Sequence, residues 1–170
     1  SNPSPISAII QFHQRQARTD IETRVRVDDY SHVRAIVEYD DGSLAMATRF
    51  VKAAGGCSAP AGADAAAALA SMGRMNLQLV GDVVAGQPMQ AQLSISHPNH
   101  SGLAMDQYTR HVVPAHFVRQ IALKWGDKPV LSADVDFSIS ENPSLRFWFV
   151  PDGAGDLRAE VMDTQGRSFS

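Results

Sequence analysis

The sequence has almost no cysteine: one residue, Cys57, in a chain of 170. A lone cysteine excludes an internal disulfide framework. Without a Cys-x-x-Cys pair, dithiol cycling of the thioredoxin kind is excluded as well. Aromatic residues are sparse at 7%, and charged residues make up only 19%. That charge fraction, set beside 44% hydrophobic residues, is the composition of a folded domain and not of a disordered chain. Long runs are missing too. No apolar stretch approaches the roughly 20 residues that span a bilayer as a helix. The net charge of −3 is spread without a basic stripe, so nothing marks a nucleic-acid surface. The first residues hold neither the basic region nor the apolar run of a secretory leader. A cytosolic protein, or a mature and trimmed chain, is expected.

What the chain does have is alternation. Ile6 to Phe12 is a short apolar run. Ile21, Thr23, Val25 and Val27 alternate with Glu22, Arg24 and Arg26, which predicts a half-buried strand with a charged outer face. Val33 to Tyr39 and Leu44 to Lys52 flank the turn signal Asp40-Asp41-Gly42-Ser43 and read as a hairpin. Further strands are expected from Met75, Leu77 and Leu79 to Val83, over Met89 to Ser96, within Val112 to Lys124, and over Val130 to Val135. Leu145, Phe147 and Phe149 point one way along another strand, with Arg146 and Trp148 on its other side, and Leu157 to Met162 supplies one more. Many short strands between regular turn signals predict an antiparallel sandwich. The one helical stretch is short: Ala65 to Leu69 are strong helix formers, Asp64 suits the first turn, and Gly73 suits the stop. That helix divides the chain into residues 1–58, a linker 59–73 and residues 74–170. The first portion is too small to bury a core alone and is expected to lean on the last, unless upstream strands precede it.

Cys57 sits in Val51-Lys52-Ala53-Ala54-Gly55-Gly56-Cys57-Ser58-Ala59-Pro60-Ala61-Gly62. Gly55 and Gly56 free the backbone, and Ser58 and the small residues behind it leave the sulfur little cover. A thiol near the positive end of a helix has its thiolate stabilised. These neighbours favour an exposed, reactive cysteine over a buried, inert one, although free cysteines are often buried. Lys52 is the nearest cation in sequence. Arg24, Arg26 and Arg34 suit an anionic adduct, but a solvated strand face is the simpler reading of them. His97 and His100 form a His-x-x-His pair, a weak metal signal by itself, which His111, His116 or Cys57 would have to complete. Trp125, Phe147, Trp148 and Phe149 read as core and edge packing, and Asp163-Thr164-Gln165-Gly166 reads as a turn.

Several stretches, in order, resemble a known family. They are Asn2-Pro3-Ser4-Pro5, Thr23-Arg24-Val25-Arg26, Val33-Arg34-Ala35-Ile36, Asp41-Gly42-Ser43-Leu44 and Lys52-Ala53-Ala54-Gly55-Gly56-Cys57. After them come Ser96-His97-Pro98, Ser101-Gly102-Leu103, Val113-Pro114-Ala115-His116-Phe117-Val118 and Gly126-Asp127-Lys128-Pro129-Val130-Leu131. Ser138-Ile139-Ser140-Glu141-Asn142-Pro143 and Asp163-Thr164-Gln165-Gly166 close the series. Together they resemble the sulfur carrier of the thiosulfate-oxidising (Sox) pathway, with its Y and Z subunits fused in that order. The longer motif Gly-Gly-Cys-Ser-Ala-Pro-Ala is similar to the fused carrier found beside quinoprotein alcohol dehydrogenases.

The resemblance implies a mainly β protein of two immunoglobulin-like antiparallel β-sandwich units joined by a short helix. It also implies a periplasmic location and a non-enzymatic role, with Cys57 carrying sulfur intermediates as a covalent adduct. No cofactor is implied. The implied partners are periplasmic Sox-type or quinoprotein dehydrogenase-system proteins, with the Y-like part pairing to the Z-like part within the chain. An exposed Cys57 would also allow a disulfide-linked homodimer; neither nucleic acid nor membrane is expected as a partner. In the family the cysteine ends a Gly-Gly-Cys-Gly-Gly tail, whereas here Ser58 follows and the chain continues. The family's first strands are also absent here, as expected of a truncated or processed form. Two other functions stand beside the carrier: an accessory binding module for a quinoprotein (PQQ) dehydrogenase, and a metal-binding protein using His97 and His100.

Overall fold

A computed structural model describes residues 2–14, 19–53, 55–58, 65–106 and 108–170. Ala54, the stretch 59–62 and the expected helix-start residue Asp64 lie outside the described residues. The protein is mainly β, built of antiparallel sheets with one short helix. Its strands are β1 (Ala8–Phe12), β2 (Glu22–Thr23), β3 (Ser31–Glu38), β4 (Leu44–Val51), β5 (Met75–Val80) and β6 (Met89–Ile95). Then follow β7 (Val118–Trp125), β8 (Lys128–Val135), β9 (Ser144–Phe149), β10 (Leu157–Asp163) and β11 (Ser168–Phe169). The helix α1 (Ala65–Ser71) lies between β4 and β5, and Gly73 at φ +83° stops it as expected.

Two sheets form the sandwich. One has the order β1-β8-β7-β10-β11 and the other β2-β9-β6-β5. Period-two side chains fill the space between them. Met89, Ala91, Leu93 and Ile95 of β6 face Leu145, Phe147 and Phe149 of the neighbouring β9, while Ile121, Leu123, Trp125, Ala159 and Val161 line the opposite sheet. Two irregularities shift the phase. Met162 is paired with Gln120 but Asp163 with Val118, so Arg119 is the extra residue of a bulge in β7. Leu123 is paired with Leu131 but Lys124 with Pro129, so Val130 bulges from β8 and both Val130 and Leu131 enter the core. Pro129 has no N–H to give a ladder, which suits it to that irregular place.

The first stretch leans on the last through its strands. β1 pairs antiparallel with β8, and β2 with β9. Ile10 and Phe12 thereby pack on the core made by residues beyond 74. Two short strands cannot enclose a core, so they extend sheets already closed around one. The hairpin β3–β4 is different: it forms its own two-stranded sheet, with Ala35 opposite Ala47 and Ile36 opposite Met46. Its turn carries Gly42 at φ +80°, with Tyr39 N–H donating to Ser43 O at 2.9 Å. No helix among the described residues is long and apolar enough to cross a membrane.

Phe147 is wholly buried between the sheets. Phe147→Ala is expected to destabilise the fold by about 3–5 kcal/mol, read as a lower midpoint in denaturant with an unchanged slope.

Candidate functional site

Residues Arg24 to Asp28 run extended between two neighbours. On one side Arg26 N–H donates to Ser138 O (2.7 Å) and Ser140 N–H to Arg24 O (3.1 Å). On the other, Gly56 N–H donates to Val27 O (3.2 Å) and Gly55 N–H to Asp28 O (2.6 Å). Asn2 ties the same segment from its end, donating from Nδ2 to Arg26 O and accepting Asp28 N–H at Oδ1. Cys57 follows at once. Its N–H points to Asp28 Oδ1 (3.4 Å), and its carbonyl accepts from Ser101 Oγ (2.5 Å). The cysteine loop is therefore held to both parts of the chain.

This docking corrects three expectations. Cys57 was expected to be exposed, yet it is only 2% accessible. The small residues before it bring the loop close instead of leaving the sulfur bare: a Cβ on Gly56 would stand 2.5 Å from Val27 O. Gly55, at φ +68°, makes the turn that permits the approach. The thiolate was expected to be stabilised. Burial instead raises the Cys57 pKa, and the Asp28 carboxylate raises it further. Arg26 and a hydrogen bond from Ser138 act the other way and do not compensate. Third, Arg26 was assigned to a solvated face. It turns inward, donating from Nη1 to Phe137 O (2.5 Å) and Ile139 O (2.8 Å), and it, not the exposed Lys52, is the cation facing the thiol. Arg24 and Arg34 do remain exposed, as does Ser58, whose Oγ bonds back to Gly55 O.

Polar groups reach the sulfur: Asp28, Arg26 and Ser138 all act on the thiol. Ser138 is wholly buried, and among the described residues its hydroxyl has no hydrogen-bond partner besides the Cys57 thiol on which it acts. Such a donor is costly to bury unsatisfied. It is suited to a sulfur atom that takes on negative charge.

A second cluster lies across the loop of residues 97–102. His97, His116 and Asp163 are all buried, and their ligand atoms lie within 4.8 Å of one another. His116 Nε2 is 2.7 Å from Asp163 Oδ2 and His97 Nε2 is 3.7 Å from the same oxygen. An ionised carboxylate only accepts, so His116 Nε2 carries a proton. His97 Nδ1 accepts the Asn99 N–H at 3.0 Å, which places the proton of the neutral ring on Nε2, facing Asp163. Asp163 Oδ1 in turn accepts from Gln165 N–H and Arg167 N–H. Burial alone would raise the Asp163 pKa, but the bonds from His116, Arg167 and Gln165 outweigh it and the pKa falls. A metal on His97 Nε2 would need that nitrogen's lone pair and a proton on Nδ1, against the Asn99 N–H. His116 and two backbone N–H groups satisfy the Asp163 carboxylate, whereas His97 Nε2 is buried without a hydrogen-bond partner among the described residues.

The His-x-x-His pair is thus not brought together as a metal site. His97 joins His116 and Asp163, whereas the half-buried His100 pairs through its backbone with His116 (N–H to O, 3.0 Å), and His111 is exposed. Asn99 links the parts: from φ +48° it donates Nδ2 to Ile139 O and accepts Val118 N–H at Oδ1. His97 N–H donates to Asn142 Oδ1, and Asn142 N–H to His97 O, so the Ser-His-Pro and Glu-Asn-Pro segments interlock. Sequence reasoning named His116 among the residues that could join His97, and missed Asp163. The available signal was phase: Asp163 continues the inward series Ala159, Val161 along β10.

Residues 78–170 match the family of the sulphur oxidation protein SoxZ, and residues 1–57 match that of the sulfur oxidation protein SoxY. Comparison of the chain with curated proteins gives no match. An antiparallel sandwich with these two matches defines a carrier component of sulfur oxidation. More narrowly, the chain belongs to the SoxZ family and carries a SoxY portion ahead of it, making it a fused SoxYZ-type protein whose two parts pair within one chain.

Two outcomes follow from the electrostatics. Burial, followed by the neighbouring His116, lowers the His97 pKa from 6.5 to about 4. Above the unfolded value His97 is neutral in both states and costs nothing. Between 6.5 and about 4 only the unfolded chain takes the proton, so stability falls with falling pH through that window. The loss is about 3 kcal/mol in full, and His97→Gln is expected to flatten it in urea titrations across the range. Asp28→Asn removes an anion beside Cys57 and is expected to shift the thiol's ultraviolet titration to lower pH, whereas Arg26→Gln shifts it higher.

Proposed function

We propose that the chain is a periplasmic carrier in which Cys57 holds a sulfur-containing group as a covalent adduct and delivers it to partner proteins. The observation that carries this reading is the placement of Cys57. It ends the SoxY match and is docked against Arg26, Asp28, Ser101 and Ser138, polar groups drawn from both family portions. The buried Ser138 hydroxyl and the fixed Arg26 guanidinium favour negative charge at the sulfur, which both a thiolate and an oxidised sulfur adduct supply. Asp28 and burial keep the resting thiol protonated and protected from adventitious oxidation. Gly55, Gly56 and Ser58 form the loop that must open for exchange. The partners are proteins of sulfur oxidation or of a quinoprotein dehydrogenase system.

One observation favours a second reading. A sulfur 2% accessible, with a raised pKa, also suits a cysteine that does not cycle. The chain would then be a non-catalytic accessory module for a quinoprotein dehydrogenase.

Tetrathionate separates the two. Attack by the Cys57 thiolate displaces thiosulfate and leaves the other thiosulfate moiety on the sulfur, so no external oxidant is needed. The carrier reading expects a mass gain in the intact protein that grows faster with rising pH, is reversed by a reducing thiol, and is absent in Cys57→Ser. Gly56→Ala, which cannot keep the loop against Val27 O, is expected to react faster than the native chain. A native chain that stays unmodified even at alkaline pH overturns the carrier reading in favour of the module.

A further inference from the structure

Loop 97–102 joins the two buried clusters. At one end His97 meets His116 and Asp163, and near the other Ser101 donates from Oγ to the Cys57 carbonyl. The stretch between is enclosed: Asn99 is wholly buried, and Ser101 is 8% exposed. Ser101 Oγ also accepts the Leu103 N–H (3.2 Å), so one hydroxyl fixes both the end of the loop and the cysteine. The carrier reading makes no use of the histidine cluster.

His97 takes up a proton only by breaking this loop. In the neutral ring Nε2 holds the proton and Nδ1 accepts the Asn99 N–H. A second proton goes to Nδ1, and there it opposes that N–H, donor against donor. Asn99 is not free to turn aside. It sits at φ +48°, with Nδ2 donating to Ile139 O and Oδ1 accepting the Val118 N–H. The backbone of His97 is clamped in turn by Asn142 at both its N–H and its carbonyl. A charged ring is therefore relieved only if the loop moves with it. We propose that protonation of His97 releases loop 97–102, withdraws Ser101 from the Cys57 carbonyl and opens the cysteine loop, so that acid exposes the thiol.

The groups around the ring set the direction. His116 faces it from the stretch before β7, Asp163 from the end of β10, and His100 acts on it from within its own loop. Glu141, beside Asn142, acts on His100. Of the groups acting on His97, Asp163 favours the charged ring, but its nearer oxygen is already bonded to His116 at 2.7 Å. Burial and His116 outweigh it, so the closed loop holds His97 neutral, whereas an open loop with the ring in water takes the proton. Falling pH thus favours the open form. That sign is opposite to the sign of thiol chemistry, in which acid removes the thiolate. The inference does not depend on what Cys57 carries.

Disulfide exchange with a dipyridyl disulfide tests it. The Cys57 sulfur attacks the reagent's S–S bond, forms a mixed disulfide and displaces one pyridinethione, which is counted by its absorbance. The rate for the native chain, divided by the rate for a cysteine peptide at the same pH, gives the open fraction free of thiol ionisation. With His97 at 6.5 when open and about 4 when closed, this ratio is expected to rise about 10- to 20-fold from pH 7 to pH 5. His97→Gln should make the ratio flat with pH. Ser101→Ala should label faster at pH 7 and lose most of the acid gain, because the cysteine loop no longer waits on loop 97–102. Low urea should leave the gain unchanged, since a local opening exposes little surface. A ratio that does not rise with acid overturns the proposal. So does a gain that survives in His97→Gln or Ser101→Ala, or labelling that climbs with urea along the global unfolding slope. The native pH series needs no variant, so the proposal can fail even where a variant does not fold.

Discussion

One extended segment, Arg24 to Asp28, is bonded along both of its edges, and the rest of the site depends on it. Serine carbonyls and amides of the 138–140 stretch hold one side, and the backbone of Gly55 and Gly56 holds the other. Remove either row and Cys57 loses its fixed relation to the sandwich. The segment is also the physical junction of the two family portions: it belongs to the SoxY stretch by sequence and is bonded to the SoxZ stretch in space. The same logic governs β1 and β2, which complete sheets whose cores lie elsewhere. Fusion into one chain makes such pairing intramolecular, so its effective concentration is set by a short connection and not by diffusion.

The polar loops beside this junction are densely hydrogen-bonded, although the Ser140 side chain and His97 Nε2 are buried without a hydrogen-bond partner among the described residues, and Ser138 has none besides the Cys57 thiol. Asn99 and Asn142, both at positive φ, convert irregular backbone into a bonded lattice around His97. Asp163 is the anion at its centre, stabilised by the His116 ring N–H on one oxygen and two backbone N–H groups on the other, with His97 Nε2 3.7 Å away. A buried charge so surrounded is expensive to disturb but gives a single geometry, because few alternative packings satisfy all three donors. Loop 97–102 carries Ser101 to the Cys57 carbonyl, and so the rigidity of one cluster sets the placement of the other.

Much of the fold could be read from residue order. The inward series Leu145, Phe147, Phe149 with Arg146 and Trp148 outside, the Asp-Asp-Gly turn, and the stop at Gly73 all appear where alternation and turn chemistry place them. Where the pattern broke, a bulge was responsible: Arg119 and Val130 each add a residue, and period two cannot announce where it will be interrupted. Ile21 to Val27 has a strand's alternation, yet only Glu22 and Thr23 join the ladder as strand, and Arg26 turns in to find carbonyls far along the chain. The cysteine shows the limit most plainly. Small neighbours permit exposure and close packing equally, and which of the two occurs is decided by Val27, Asp28 and Ser101, none of them adjacent in sequence. His116 could be named from the sequence as a possible companion of His97, but the place of Asp163 between them could not, for the same reason.

The hairpin leaves the body at Asp28 and returns at Gly55, where bonds from Gly55 N–H to Asp28 O (2.6 Å) and Gly56 N–H to Val27 O (3.2 Å) close its base, and β4 leads from its tip toward Cys57. Mechanically it is a stiff arm of roughly 25 Å on a narrow pivot. The backbone of the hairpin thus runs straight into the bonds that Gly55 and Gly56 make with Asp28 and Val27, and strain along the arm is borne next to Cys57.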